Sequence, residues 1–125
     1  MTDAVLDKIL IIDDEPRIRQ LIANFLQSRG YATIQAENGL GIIDRITSNH
    51  VRLVIMDILM DHQEGLESLT QIRKHFTDLP VIMLSSDSYY LDMSTYLGAS
   101  AILSKPVNLE TLNEKVEQLL SSSGI

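Results

Sequence analysis

The stretch Ile9-Leu10-Ile11-Ile12-Asp13-Asp14 places two adjacent acids directly after four apolar residues. An apolar run of this length is typical of a strand that is buried on both faces of a parallel sheet. Open α/β sheets bind their ligands just beyond the carboxyl ends of the strands. The two acids therefore fall at a position where a functional site is expected.

Three further apolar runs end in the same way, at residues 53–56, 81–84 and 101–104. Asp57 follows the first of these, Ser85 follows the second and Lys105 follows the third. Residues 32–36 are a weaker strand candidate. Segments with helical spacing separate the runs, and the clearest apolar stripe consists of Ile18, Leu21, Ile22, Phe25 and Leu26.

This alternation predicts an α/β protein with the flavodoxin-like (βα)5 architecture. The sheet is expected to be doubly wound, five-stranded and parallel, with strand order 2-1-3-4-5 and helices on both faces. Residues 1–120 are predicted to form this single domain. Residues 121–125, which are rich in serine, are predicted to be a flexible C-terminal tail or the start of a linker.

Composition excludes several classes of function. The chain has 125 residues, 45% of them apolar, no cysteine and a formal net charge of −7. An acidic chain without a Lys/Arg cluster is unsuited to direct nucleic-acid binding. No stretch approaches the roughly 18 apolar residues that a membrane span needs, and the first residues lack the basic segment of a secretory signal. We therefore expect a cytoplasmic protein that does not bind membranes.

The polar residues at the strand ends suit phosphoryl chemistry. In the predicted order the first and third strands are neighbours, so the carboxylates of Asp13, Asp14 and Asp57 should converge. Three carboxylates this close require a compensating positive charge, and Mg²⁺ binds such oxygen ligands. Lys105 would add a second cation and Ser85 a hydroxyl. A metal, a cation and a nucleophilic carboxylate are what a phosphoryl group requires.

The chain resembles the receiver domain of two-component response regulators from Lys8 to Leu120. The resemblance rests on segments 11–15, 54–60 and 81–86, on Gly65 and Gly98-Ala99, and on Lys105-Pro106. It implies a signalling domain that catalyses only its own phosphorylation and dephosphorylation. A sensor histidine kinase or a phosphotransfer protein would donate the phosphoryl group, and the modified domain would switch a surface for an effector partner or for dimerisation.

The resemblance also assigns roles to single residues. Asp57 would be the phosphoacceptor, Asp14 would bind Mg²⁺ directly and Asp13 mainly through water, with Asp57 and the backbone carbonyl of Leu59 completing the protein ligands. The phosphate would draw in Ser85 and pair with Lys105. The peptide bond between Lys105 and Pro106 would be cis.

Five positions differ from the usual pattern of the family or tune it. Ile102 occupies the position of the usual switch aromatic, so the output signal is expected to follow a different route. Asp61 stands where proline is usual, and Glu64 stands where aspartate is usual. Leu59 and Asp87 occupy the two positions that tune the lifetime of the phosphoryl group. We predict that Asp87 dominates, because its carboxylate is able to orient a water molecule.

Simpler structural roles stay open for the same residues. Asp13 could cap the first helix, Ser85 could cap the turn that follows it, and Lys105 could be a surface lysine. The three histidines lack metal-ligand spacing and are expected on the surface; they are His50, His62 and His75. The fourth helix carries a cluster that is either core or a partner surface; it consists of Tyr89, Tyr90, Met93 and Tyr96.

Three other functions compete with an active receiver. A haloacid-dehalogenase-like phosphatase also uses a nucleophilic aspartate, but it needs Asp-x-Asp after its first strand, where this chain has Asp13-Asp14-Glu15. A flavodoxin-like electron carrier would hold a flavin phosphate in that same loop, and three acids would repel it. A degenerate receiver that only docks would not need the complete set of polar residues found here.

Overall fold

A computed structural model of the chain describes residues 6–59 and 65–123, in which strands and helices alternate five times. The strands are β1 (Lys8–Ile12), β2 (Ala32–Ala36), β3 (Leu53–Asp57), β4 (Val81–Ser85) and β5 (Ala101–Ser104). The helices are α1 (Pro16–Ser28), α2 (Ile42–Asn49), α3 (Gly65–His75), α4 (Ser88–Tyr96) and α5 (Leu109–Ser123). The weaker strand candidate at 32–36 is thus confirmed as β2.

The strands form one parallel sheet in the order β2-β1-β3-β4-β5, as predicted. The register brings the carboxyl ends of the inner strands to one edge. Ile12 pairs with Met56, Asp57 pairs with Leu84, and Ser85 pairs with Ser104. Every polar residue that follows a run therefore lies at the same end of the sheet.

Helices cover both faces of the sheet, which explains why the inner strands are apolar without alternation. All five residues of β3 and all five of β4 are buried. One core layer packs alternate strand residues such as Val54 and Met83 against α2, α3 and α4. The other packs residues such as Ile55 and Ile82 against α1 and α5. Burial of one such side chain stabilises the fold by about 1.5–3 kcal/mol.

Three details of the helices differ from the sequence-based expectation. Leu21, a member of the predicted apolar stripe of α1, is 52% exposed. Helix α2 begins at Ile42, two residues after the expected start, because Gly41 takes the left-handed conformation at φ 67°. Helix α5 continues to Ser123, so the predicted boundary at residue 120 falls inside it. Among the described residues, no helix is long and apolar enough to cross a membrane.

The side chain of Arg73 joins two loops that the sequence did not connect. Its guanidinium donates hydrogen bonds to the backbone carbonyls of Gly98 at 2.8 Å, Leu79 at 2.8 Å and Phe76 at 3.1 Å. These carbonyls belong to the end of α3, the entry to β4 and the turn between α4 and β5. Arg73 thereby fixes the C-terminal end of α4 against α3.

Gly65 approaches β3 so closely that a larger residue does not fit. Its amide donates to the carbonyl of Ile58 at 2.7 Å, and a Cβ atom would lie 2.5 Å from the backbone oxygen of Asp57 and 2.7 Å from the Cα of Ile58. Both neighbours are backbone atoms, so neither can rotate away. The start of α3 is therefore packed directly on the carboxyl end of β3, which carries Asp57.

We predict that Gly65→Ala destabilises the domain, although alanine favours helices by about 1 kcal/mol over glycine. Overpacking of this kind costs about 1–3 kcal/mol, so we expect a net decrease in the free energy of unfolding, measured by urea denaturation. Gln118→Ala, on an exposed position of α5, serves as the control. Equal stability of Gly65→Ala and the parent would contradict the close approach.

Candidate functional site

Three carboxylates meet at the carboxyl ends of β1 and β3. One oxygen each of Asp13, Asp14 and Asp57 lies within 4.8 Å of the other two. Asp13 is 1% exposed and Asp57 is 5% exposed. Oxygen atoms at this spacing are the ligands of hard divalent cations, so the donor set fits such an ion. The predicted convergence is confirmed.

Lys105 reaches this cluster from the end of β5. Its Nζ lies 3.2 Å from Oδ2 of Asp13 and 3.2 Å from Oδ2 of Asp57. The backbone amide of Lys105 donates to the carbonyl of Ser85 at 2.9 Å, and the bond between Lys105 and Pro106 is cis. Lys105 is therefore part of the site and not a surface lysine.

Burial and charge crowding shift two groups of the site. Burial raises the pKa of the Asp57 carboxyl above 3.8; Lys105 opposes this shift, while Asp13 and Asp14 add to it. Burial lowers the pKa of Lys105, but the charges of Asp13 and Asp57 outweigh it and hold that pKa above 10.5. One ammonium thus faces three acids and does not fully compensate them, which leaves the ionised form of Asp57 disfavoured.

Asp13 is held by contacts to both its carboxylate oxygens and its backbone. Oδ1 accepts from the amide of Glu15 at 2.9 Å, and Oδ2 accepts from Lys105. The Asp13 amide donates to the carbonyl of Ala36 at 3.2 Å, while its carbonyl accepts from Nη1 of Arg19 at 2.7 Å. The position before α1 is taken by Glu15 without a side-chain cap, so Asp13 is not the helix cap that remained open. Arg19 was not identified from the sequence.

Ser85 and Asp87 join the site to the start of α4. Ser85 is 1% exposed, and its Oγ accepts from the amide of Asp87 at 3.1 Å. Oδ1 of Asp87 in turn accepts from the amide of Tyr89 at 2.9 Å, so Asp87 is the N-cap of α4. The local capping role considered for Ser85 therefore exists. An aspartate just before an apolar helix is a signal for an N-cap. The capping role of Asp87 was therefore recognisable in the sequence, although it was not predicted.

Other residues considered from the sequence lie around the site or away from it. Leu59 is 45% exposed beside β3. Ile102 is half-buried and packs against the core layer of α4. His50 and His75 are exposed, as expected. Three positions fall outside the described residues; they are Asp61, His62 and Glu64.

The aromatic cluster on α4 divides between core and surface. Tyr90 and Met93 pack against the core. Tyr89 is 63% exposed and Tyr96 is 93% exposed. The rings of Tyr89 and Tyr90 meet edge to face, with their centroids 5.5 Å apart. The core reading is thus confirmed for Tyr90 and Met93, and the partner surface stays a prediction for the exposed Tyr89 and Tyr96.

A solved structure with a closely similar fold is the response regulator protein TrrA from Thermotoga maritima in complex with Mg²⁺ and BeF. It is 40% identical in sequence, its TM-score is 0.84, and the match covers 92% of this chain and 100% of that one. The likeness therefore extends over the whole alternation of strands and helices.

Curated relatives are longer than this chain. The transcriptional regulatory protein GlrR of Escherichia coli is 31% identical over 92% of this chain, which spans 26% of that protein. The response regulator MprA of Mycobacterium sp. (strain KMS) is 31% identical over 90% of this chain, which spans 50% of it. The family model of the response regulator receiver domain matches residues 9–117. With the acidic cluster and Lys105 at the expected strand ends, the chain belongs to the receiver domain family of two-component response regulators.

Proposed function

We propose that Asp57 accepts a phosphoryl group and that the modification switches a partner-binding surface. The observation that carries this proposal is the placement of the Asp57 carboxylate, which is 5% exposed, within 3.2 Å of Lys105. It also shares a cluster with Asp13 and Asp14. Membership in the receiver family supports the same role. Family membership also disfavours two other functions that the sequence left open, namely the phosphatase and the electron carrier.

The chemistry is an in-line displacement. A carboxylate oxygen of Asp57 would form a bond to phosphorus while the bond between phosphorus and the donor breaks, and that electron pair leaves with the donor. The ammonium of Lys105 would neutralise charge on the phosphoryl oxygens. Hydrolysis would be a second displacement, in which a water oxygen forms a bond to phosphorus, the bond to the Asp57 oxygen breaks, and free phosphate and the original carboxylate result.

The proposed metal is Mg²⁺, held by Asp13, Asp14, Asp57 and the backbone carbonyl of Leu59. When bound, Mg²⁺ neutralises phosphoryl oxygens and orients the group for transfer. Asp13 already shares Oδ2 with Lys105 and Oδ1 with the Glu15 amide, which supports contact through water for this residue. The structure of TrrA is described as a complex with Mg²⁺ and BeF, and we extend that binding to this chain as part of the proposal.

The proposed phosphodonor is a sensor histidine kinase or a phosphotransfer protein in the cytoplasm. An apolar groove of about 390 Å³ lies beside Lys105, between α1 and the segment after β5. Leu21, which is exposed against expectation, lines this groove together with Ile18 and Val107. A donor that docks in this groove would present its phosphohistidine beside Lys105.

The proposed switch runs from Ser85 to α4. Movement of the Ser85 hydroxyl towards a phosphoryl group would break its bond to the Asp87 amide. Asp87 caps α4, so the start of that helix would respond although Ile102 replaces the usual aromatic. The exposed rings of Tyr89 and Tyr96 lie on this helix, and we propose that an effector or a second copy binds there.

Intact-protein mass spectrometry with acetyl phosphate tests the proposed phosphoacceptor. We expect the parent to gain the mass of one phosphoryl group in the presence of Mg²⁺ and to lose the gain when the metal is removed with EDTA. Asp57→Asn should not gain it, because the amide is a poor nucleophile. Asp92→Asn, on an exposed position of α4, should behave as the parent. No gain in the parent would leave only the docking role of a degenerate receiver.

The pH dependence of stability tests the crowding around Asp57. Since burial raises the folded-state pKa of Asp57 above 3.8, its contribution to stability is full below that value and is lost as pH rises through the folded-state pKa. We therefore expect Asp57→Asn to have the higher free energy of unfolding at neutral pH. The difference should shrink towards pH 3.8. Urea denaturation at several pH values measures it, with Asp92→Asn as the control; a variant less stable than the parent at neutral pH argues against crowding.

Two substitutions at Asp87 separate its predicted control of phosphoryl lifetime from its role as a helix cap. Asparagine caps as well as aspartate, whereas loss of the cap costs about 0.5–2 kcal/mol. If the Asp87 carboxylate orients water, both Asp87→Asn and Asp87→Ala should hydrolyse the phosphoryl group more slowly than the parent. Only Asp87→Ala should also lose stability. Mass spectrometry measures the rate at which each variant loses its phosphoryl group. If both variants hydrolyse it at the parent rate, the predicted control of phosphoryl lifetime by Asp87 is wrong.

A further inference from the structure

Arg19 lies in the first turns of α1 and points back towards the acidic cluster. Nη1 of Arg19 donates to the backbone carbonyl of Asp13 at 2.7 Å, and Nε donates to Oε1 of Gln35 at 3.1 Å. The guanidinium is planar and rigid, and Gln35 on β2 holds it through a different nitrogen from the one that binds Asp13. The contact with Asp13 is therefore preorganised by the sheet.

The carbonyl that Arg19 binds belongs to the peptide unit that joins Asp13 to Asp14. This unit is planar, so a bond to its oxygen fixes the orientation of the whole unit. That orientation sets the direction in which the following residue, Asp14, projects its side chain. The 2.7 Å contact has the short length of a charge-assisted hydrogen bond.

Arg19 places a second positive charge beside the proposed metal ion. Arg19 stands near the N-terminus of α1, where the helix dipole is already positive, and near a cluster that suits a divalent cation. By charge alone Arg19 would repel a metal ion. The benefit of Arg19 must therefore come from geometry, through the peptide that it holds.

We propose that Arg19 is a positioning residue for the divalent-cation site, which it orders by fixing the peptide between Asp13 and Asp14. The inference rests on the proposed function, since that function supplies the metal. Residues that orient metal ligands through one hydrogen bond raise metal affinity by about 10–100-fold. Arg19 acts in this way on Asp14 without touching the ion.

Geometry and charge predict opposite signs, so one substitution decides between them. Arg19→Gln removes both the positive charge and the bond to the Asp13 carbonyl. We expect the dissociation constant for MgCl₂, measured by isothermal titration calorimetry on the unphosphorylated domain, to rise about tenfold. If charge alone mattered, the loss of a cation would lower that constant. An unchanged or lowered constant would overturn the proposal.

Arg17→Gln is the matched control, because Arg17 is an exposed residue of the same helix and the substitution removes the same charge. We expect this variant to bind Mg²⁺ as tightly as the parent or slightly more tightly. Arg19→Lys should fall between the parent and Arg19→Gln, since an ammonium cannot hold Asp13 and Gln35 in one planar fork. An equal rise of the dissociation constant for Arg17→Gln and Arg19→Gln would show that the effect does not depend on the contact with Asp13, and it would overturn the proposal.

Two further measurements separate positioning from a loss of folding. Gln35→Ala keeps every charge and releases the guanidinium at Nε, so it should raise the constant by a smaller factor. It also replaces Arg19→Gln if urea denaturation shows the latter unfolded. In Arg19→Gln, the Mg²⁺ concentration that half-saturates phosphorylation by acetyl phosphate should rise, while the rate at saturating Mg²⁺ returns to that of the parent. A parent that is never phosphorylated would count against the proposed function, and the binding constants would still decide the role of Arg19.

Discussion

At one buried edge of the sheet, three carboxylates crowd around one ammonium. Asp13 and Asp57 are almost fully buried, and Lys105 lies 3.2 Å from each. Burial, together with the like charges of Asp13 and Asp14, disfavours the ionised form of Asp57 and raises its pKa. Such an arrangement is stable only if the surrounding fold holds it, because each carboxylate alone would turn towards water.

The fold supplies that restraint through contacts to the backbone. Gly65 packs directly on the loop after β3, with space for no Cβ atom, and its amide binds the carbonyl of Ile58. Lys105 is tied by its own amide to Ser85. The acids and the base are therefore anchored at the ends of three strands, β1, β3 and β5, and the rigid parallel sheet sets the distances between them. A site built on strand ends in this way gains its geometry from the sheet.

The same restraint connects the site to a surface. The Ser85 hydroxyl, the Asp87 amide and the Asp87 cap form one chain of hydrogen bonds into α4, while Arg73 fixes the far end of that helix. A helix that is anchored at its C-terminal end and tied to a reactive site at its N-terminal end can change at one end only. In the proposed function, this chain of hydrogen bonds takes the place of a switch through residue 102, which is isoleucine here.

The sequence was sufficient to predict the strand order and the meeting of three acids with Lys105 at one edge of the sheet. This prediction was possible because buried parallel strands are continuously apolar. The polar residues that follow the carboxyl ends of such strands must lie at one edge of the sheet. Three features are visible in the tertiary structure alone. They are the contact of Arg19 with the Asp13 carbonyl, the exposure of Leu21 and the hydrogen bond of Arg73 to the Leu79 carbonyl. These depend on which backbone carbonyls and loops meet in space. Neither an apolar stripe nor a single arginine in a sequence identifies these contacts. The same sequence pattern is compatible with many contact partners at many sequence separations.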